Sequence, residues 1–133
     1  MGIGNPGYYN GRHFSSYVTD VRVLKKANRL DEAERLLLEL VAATEAEAQA
    51  DRSGVAPWYY EELAKIYRKR KEYAREVTVL ERFARQRHSP GAGASQLAKR
   101  LQRARQLLLS SNSRECHPRT RSRSRLRRLV CGR

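Results

Sequence analysis

The chain has 133 residues, and its 28 Lys and Arg against 14 Asp and Glu give a formal net charge of +14. This length predicts one domain, or one domain with a tail. The composition, 40% hydrophobic and 32% charged, is typical of a soluble, largely helical protein. The apolar runs are far shorter than the roughly 20 residues that span a bilayer, so we expect no membrane segment. Without a secretory leader, and with 2 cysteines, the sequence predicts a cytoplasmic protein.

Residues 1–12 are rich in glycine and polar side chains, and we interpret them as a flexible lead-in. Gly2, Gly4 and Gly7 have the glycine spacing of a dinucleotide-binding loop. That motif needs a strand before it and a helix opening at it, and only Met1 precedes it here. The spacing therefore predicts no cofactor site.

Residues 13–109 show amphipathic helical patterns without a convincing two-residue alternation, so the sequence predicts an all-α domain. Asn28 is predicted to end the first helix, Pro57 to begin the third and Ser95 to cap the fifth. The five apolar stripes consist of Phe14, Tyr17, Val21 and Leu24; Ala33, Leu36, Leu37, Leu40, Val41 and Thr44; Tyr59, Tyr60, Leu63, Ile66 and Tyr67; Tyr73, Val77, Leu80, Phe83 and Ala84; and Leu97, Leu101, Ala104 and Leu108.

These stripes predict two stacked antiparallel helical hairpins closed by a C-terminal capping helix. A single hairpin cannot bury all of its apolar surface, whereas two stacked hairpins share one core. Segments 29–37 and 72–80 look like two copies of one pattern, with a one-residue shift that aligns Val77 with Ala33. Acidic segment 31–51 and basic segment 65–87 are predicted either to screen each other or to bind a partner.

The second hairpin has the residue spacing that marks the first helix of a tetratricopeptide (TPR) repeat, at Tyr60, Leu63, Ala64 and Tyr67. In the first hairpin, Tyr17 takes the place that corresponds to Tyr60. On these residues, 14–109 resemble a degenerate TPR array whose copies lie 43 residues apart rather than the family's 34. The resemblance implies a non-catalytic scaffold that binds another protein on the concave surface formed by the first helix of each hairpin.

The groove positions carried over by this resemblance are mostly cationic, with Glu61 as their one carboxylate. We interpret the groove as a site for an acidic peptide or protein segment, because charge-assisted hydrogen bonds and long-range steering favour such a partner. A solvated, lysine-rich face is the alternative interpretation. The predicted groove residues are Arg22, Lys25, Lys26, Trp58, Lys65, Arg68 and Lys69, together with Ser15 and Val18.

Residues 110–133 hold eight arginines and one acid, and we predict a disordered Arg/Ser-rich tail. Arginines at this density bind phosphates without reading sequence. The alternative function is therefore a nucleic-acid-associated protein that also uses the basic cluster at 65–71, and a solvated extension without function is equally open. The predicted phosphate contacts are Arg119, Arg121, Arg123, Arg125, Arg127 and Arg128.

The residues suggest no catalytic or metal site, so we expect no enzyme activity, no cofactor and no small-molecule substrate. The histidines have no acid at a helical spacing that would orient them. Cys116, His117 and Cys131 offer three soft ligands, where a structural zinc site normally takes four.

Adjacent acids are interpreted as solvated. Asp31 with Glu32 and Glu61 with Glu62 are neighbours in sequence, so the two carboxylates of each pair point away from one another on a helix.

Overall fold

The structure, a computed structural model, describes the backbone of residues 6–88 and 91–121 and side chains as far as residue 112. Helices dominate this part of the chain, and the prediction of an all-α fold is confirmed. The elements are strands β1 Tyr8–Tyr9 and β2 Arg12–His13, a 3-10 turn Phe14–Tyr17, and helices α1 Val18–Lys26, α2 Leu30–Asp51, α3 Pro57–Lys69, α4 Tyr73–Ala84 and α5 Gly93–Arg121.

A short β-hairpin precedes α1, so the prediction of a flexible lead-in is wrong for residues 6–12. Asn10 and Gly11 join the two antiparallel strands, with φ angles of 51° and 82°. Left-handed backbone at both central positions makes a type I′ turn, for which Asn-Gly is a preferred pair. The Tyr17 hydroxyl donates to the Tyr9 carbonyl at 2.7 Å and holds the hairpin against the helices. Residues 1–5 of the predicted lead-in lie outside the described residues.

The two α-hairpins match at the helix boundaries beside their turns. The first helix of each ends at Lys26 or Lys69, and the second begins at Leu30 or Tyr73, so each boundary recurs after 43 residues. This is the spacing that separates Tyr17 from Tyr60 in the sequence. Around these turns the chain therefore repeats its backbone as well as its residue pattern.

The turns within the two hairpins are also alike. Asn28 and Lys71 have φ angles of 62° and 61°, and the N–H of the next residue donates to the carbonyl five residues before it, at 2.9 and 2.8 Å. This is the Schellman arrangement that ends many helices with one left-handed residue. The prediction that Asn28 stops the first helix is confirmed.

The register of the repeat is that of segments 29–37 and 72–80 without the predicted one-residue shift. With matched boundaries, Ala33 of α2 corresponds to Glu76 of α4, and both side chains are fully buried. Val77, which the one-residue shift aligned with Ala33, is only partly buried. The shift is therefore wrong, because a buried glutamate interrupts the apolar pattern of α4.

One core runs through all five helices. Helix α3 packs between α2 and α4, and α4 packs against α5. Most of the stripe residues predicted for the first three helices and for the fifth are buried, whereas the stripe of α4 is rotated, so that Val79 is buried and Ala84 is exposed. The buried side chains include Tyr17, Val21, Leu37, Leu40, Val41, Tyr60, Leu63, Ile66, Val79, Leu80, Phe83, Leu97, Leu101 and Ala104.

Both ends of α5 differ from the prediction. Ser95 does not cap the helix, because it lies inside the first turn and its hydroxyl donates to the Ala92 carbonyl at 3.1 Å. The predicted tail does not begin at residue 110, because α5 continues through Arg121. No glycine or proline interrupts residues 94–117, so the chain has no helix-ending residue there. Residues 122–133 lie outside the described residues.

Candidate binding surface

Cations of α1 and α3 meet on one side of the molecule. Lys25 of α1 reaches one carboxylate oxygen of Glu62 on α3, and Lys65 binds the other oxygen at 3.2 Å. The guanidinium carbon of Arg22 lies 5.8 Å from the ring centre of Trp58, within cation–π range. We call the surface formed by Arg22, Lys25, Lys26, Trp58, Lys65, Arg68 and Lys69 the basic surface.

Glu62 lies beneath the two lysines that bind it. Its side chain is 10% exposed, against 25% for Lys25 and 44% for Lys65. Burial raises the pKa of Glu62, but the hydrogen bonds and charges of both lysines outweigh it, so the pKa lies below its usual value. The interpretation of Glu62 as a solvated acid is therefore wrong, because Lys25 of α1 and Lys65 lie over its carboxylate.

A second carboxylate, Glu76 of α4, joins three helices. Arg68 of α3 donates through Nε to Oε1 and Oε2 of Glu76 at 2.8 and 3.1 Å. Arg100 of α5 donates through Nη1 to Oε2 at 3.2 Å. The Glu76 side chain is 0% exposed, whereas Arg68 and Arg100 are 29% and 24% exposed. Two arginines thus supply the partners that a buried charge requires.

The structure lowers the charge that the sequence predicted for this surface. Glu62 and Glu76 join Glu61, which lies 3.9 Å from the Lys65 ammonium, as carboxylates of the basic surface. Lys25, Lys65 and Arg68 are paired with these acids, whereas Arg22, Lys26 and Lys69 make no ion pair within the described part of the chain. The surface remains cationic because its Lys and Arg side chains outnumber these three carboxylates.

Helix ends explain part of the cation pattern. Lys25 and Lys26 stand in the last turn of α1, and Arg68 and Lys69 stand in the last turn of α3. Positive charge at this place stabilises a helix by about 0.3–1 kcal/mol, because it complements the helix dipole. These residues therefore have a structural role besides any contact with a partner.

The acidic face of α2 is screened by α3 and α4. This favours the prediction that acidic segment 31–51 and basic segment 65–87 screen each other over the prediction that they bind a partner. Tyr67 donates its hydroxyl to Glu34, and Tyr60 donates its hydroxyl to Glu45, both at 2.7 Å. Arg82 binds both oxygens of Glu45 at 2.7 and 2.8 Å. These contacts bring two acids of segment 31–51 against residues of segments 57–69 and 73–84.

His13 has an acid partner that the sequence did not indicate, since its Nε2 lies 2.8 Å from Oε1 of Glu47 on α2. Within residues 6–88 and 91–112, no three His, Cys, Asp or Glu side chains form a cluster that could hold a metal ion. In the same part of the chain, no helix has the length and apolarity needed to cross a membrane.

The predicted phosphate contacts divide into two groups. Arg119 and Arg121 lie in the last turn of α5, and the other four, Arg123, Arg125, Arg127 and Arg128, lie outside the described residues. No protein-family model, no curated protein and no solved structure matches the chain. The resemblance to TPR repeats therefore stays a prediction.

Proposed function

We propose that this protein is a non-catalytic scaffold that binds an acidic peptide or protein segment on the basic surface. The observation that carries the proposal is the position of Lys25 and Lys65, which come from two helices and cover the carboxylate of Glu62. A partner approaching this side meets the more exposed cations before the acids beneath them. Such a field steers an acidic segment toward the surface and strengthens its hydrogen bonds.

Three further cations support the proposal. Arg22, Lys26 and Lys69 are exposed, and they have no acid partner among the described residues, so their charges are available to a ligand. The half-buried ring of Trp58 adds apolar area beside them. The resemblance to TPR repeats points to the same face, because that family binds partners with the first helix of each hairpin.

The proposal is tested by reversing only the unpaired charges. We expect the triple variant Arg22→Glu, Lys26→Glu, Lys69→Glu to bind a fluorescent glutamate-rich peptide about tenfold more weakly or worse, measured by anisotropy. This variant leaves the ion pairs of Glu62 and Glu76 intact.

The matched control is Arg35→Glu, Arg85→Glu, Arg87→Glu, which changes the net charge equally at exposed positions outside the basic surface. We expect it to weaken binding less than about threefold. An equal loss in both triple variants, or no loss in either, would overturn the proposal. Preference for an oligonucleotide over the peptide, with a steep salt dependence, would support the nucleic-acid alternative.

A further inference from the structure

We infer that the basic surface continues onto α5 and recognises two acidic side chains of one partner at the same time. The first site is the cation pair Lys25 and Lys65, held over Glu62. The second is the pair Arg68 and Arg100, held over Glu76. This inference rests on the proposed function and adds what the partner must contain.

The two cation pairs lie next to each other across three helices. Lys65 and Arg68 are three residues apart on α3, so they share one face of that helix. Helix α5 begins beside the start of α3. Gly93 lies so close to Pro57 that a Cβ on Gly93 would stand 2.8 Å from Cγ of the proline ring. The two pairs therefore lie side by side along α3, the first shared with α1 and the second with α5.

Each buried glutamate positions its two cations before a ligand arrives. The contacts to Glu76 use Nε of Arg68 and Nη1 of Arg100. A guanidinium carries five N–H donors, so both arginines keep donors for a ligand carboxylate. Because the side chains are already held in place, binding costs less conformational entropy than it would with free lysines and arginines.

The spacing of the pairs sets the spacing of the ligand's acids. Packed helices lie about 8–10 Å apart, and three helical residues span about 4.5 Å, which places the two pairs about 10 Å apart. In polyproline II conformation, residues i and i+3 lie on the same side of the chain and about 9 Å apart. A partner with acids at i and i+3 in an extended, proline-rich segment fits both pairs.

The spacing is tested with the unmodified full-length chain. Two proline-rich peptides carry two glutamates each, at i and i+3 or at i and i+6, so they have equal charge and both present the acids on one side. We expect the i, i+3 peptide to bind about tenfold more tightly, by anisotropy at physiological salt. A peptide with one glutamate gives the affinity of a single site.

The second site is tested with Arg100→Lys, which keeps the charge beside Glu76 but removes the planar fork of donors. We expect this variant to bind the i, i+3 peptide no more tightly than the i, i+6 peptide, with unchanged affinity for the single-glutamate peptide. The control Arg105→Lys alters an exposed arginine of α5 that pairs with Glu81 and should keep the preference. Circular dichroism verifies that each variant folds. If Arg100→Lys does not fold, the peptide series with the unmodified chain decides the inference.

Equal affinity of the unmodified chain for both two-glutamate peptides would overturn this inference and leave the proposed function standing. The inference would also fail if Arg100→Lys folds and keeps the preference. Absence of binding by every acidic peptide would remove the proposed function and this inference together. Displacement of the i, i+3 peptide by a short oligonucleotide that binds more tightly would identify a nucleic acid as the ligand and overturn both.

Discussion

Gly93, the first residue of α5, lies directly against Pro57, the first residue of α3. A Cβ on Gly93 would stand 2.8 Å from Cγ and 3.2 Å from Cβ of the proline ring. Neither ring atom can move away as the end of a flexible side chain could. The missing side chain of Gly93 therefore lets α5 begin beside α3 and fixes the position of the last helix.

We expect Gly93→Ala to lower the free energy of unfolding by about 1 kcal/mol. Overpacking at a rigid contact costs about 1–3 kcal/mol, and the better helix propensity of alanine returns up to about 1 kcal/mol. Urea denaturation measures the change. The control is Gln96→Ala, an exposed position of the same turn, which should stay within about 0.5 kcal/mol of the unmodified chain. A Gly93→Ala variant as stable as the parent would contradict the close contact.

Glu76→Gln should destabilise the fold far more than Glu81→Gln, although both glutamates of α4 bind an arginine of α5. Glu76 is fully buried, and glutamine in its place removes the negative charge and one of the two acceptor oxygens that Arg68 and Arg100 share. Glu81 and Arg105 are 41% and 53% exposed. We expect losses of about 3 kcal/mol for Glu76→Gln and under about 1 kcal/mol for Glu81→Gln, by urea denaturation. Similar losses in both variants would show that burial of Glu76 does not matter.

The stability of the fold should fall in alkaline solution, because Tyr60 is buried. Burial, together with the hydrogen bond to Glu45, raises the pKa of Tyr60 above its usual value of 10. The folded state therefore keeps a proton that the unfolded chain releases, and this share of stability is complete below pH 10 and is lost as the pH rises above it. One such tyrosine lowers the free energy of unfolding by about 1.4 kcal/mol for each pH unit above 10.

We expect Tyr60→Phe to be less stable than the parent at pH 7, by about 1.5–3 kcal/mol, because Glu45 loses a donor. Its stability should also fall less steeply above pH 10. Urea denaturation at several pH values measures both effects. Tyr8→Phe, at a 47% exposed position, should leave the profile unchanged. A Tyr60→Phe profile parallel to that of the parent would exclude Tyr60 as the cause of alkaline unfolding.

Lys71→Asn and Asn28→Lys, which exchange the left-handed residues of the two turns, should have opposite effects on stability. Asn28 and Lys71 have nearly the same left-handed backbone and are both exposed, so packing contributes little to the comparison. Asparagine tolerates this conformation better than lysine does. We expect Lys71→Asn to add, and Asn28→Lys to remove, about 0.5–1 kcal/mol. Thermal unfolding checks the pair, and changes of the same sign in both variants would contradict the equivalence of the turns.

The helices could be predicted from the sequence because their evidence is local. Pro57 starts α3, Asn28 ends the turn after α1, and the apolar stripes of α1, α3 and α5 lie in the core. Each of these predictions depends on spacing within a few turns of one helix. The β-hairpin was missed although Asn10-Gly11 is a recognised turn signal, because its two-residue strands are too short to show alternation.

The candidate site could be predicted only in part. The resemblance to TPR repeats indicated the cations of α1 and α3, but the acids beneath them come from long-range packing. Glu62 stands beside Glu61 in the sequence, but only Glu62 is buried, beneath Lys25 of α1 and Lys65. Arg100 carried no sign of its role, since its partner Glu76 lies 24 residues away in the chain. Electrostatic pairing across helices leaves no periodic mark on a sequence.

The correspondence of Ala33 with Glu76 has a consequence for the order in which the chain assembles. The methyl group of Ala33 needs no polar partner, whereas the carboxylate of Glu76 binds Arg68 within the second hairpin and gains its second arginine only when Arg100 arrives from α5. Completion of the second hairpin is thereby coupled to docking of the last helix. These three helices should gain and lose protection from hydrogen exchange as one cooperative unit.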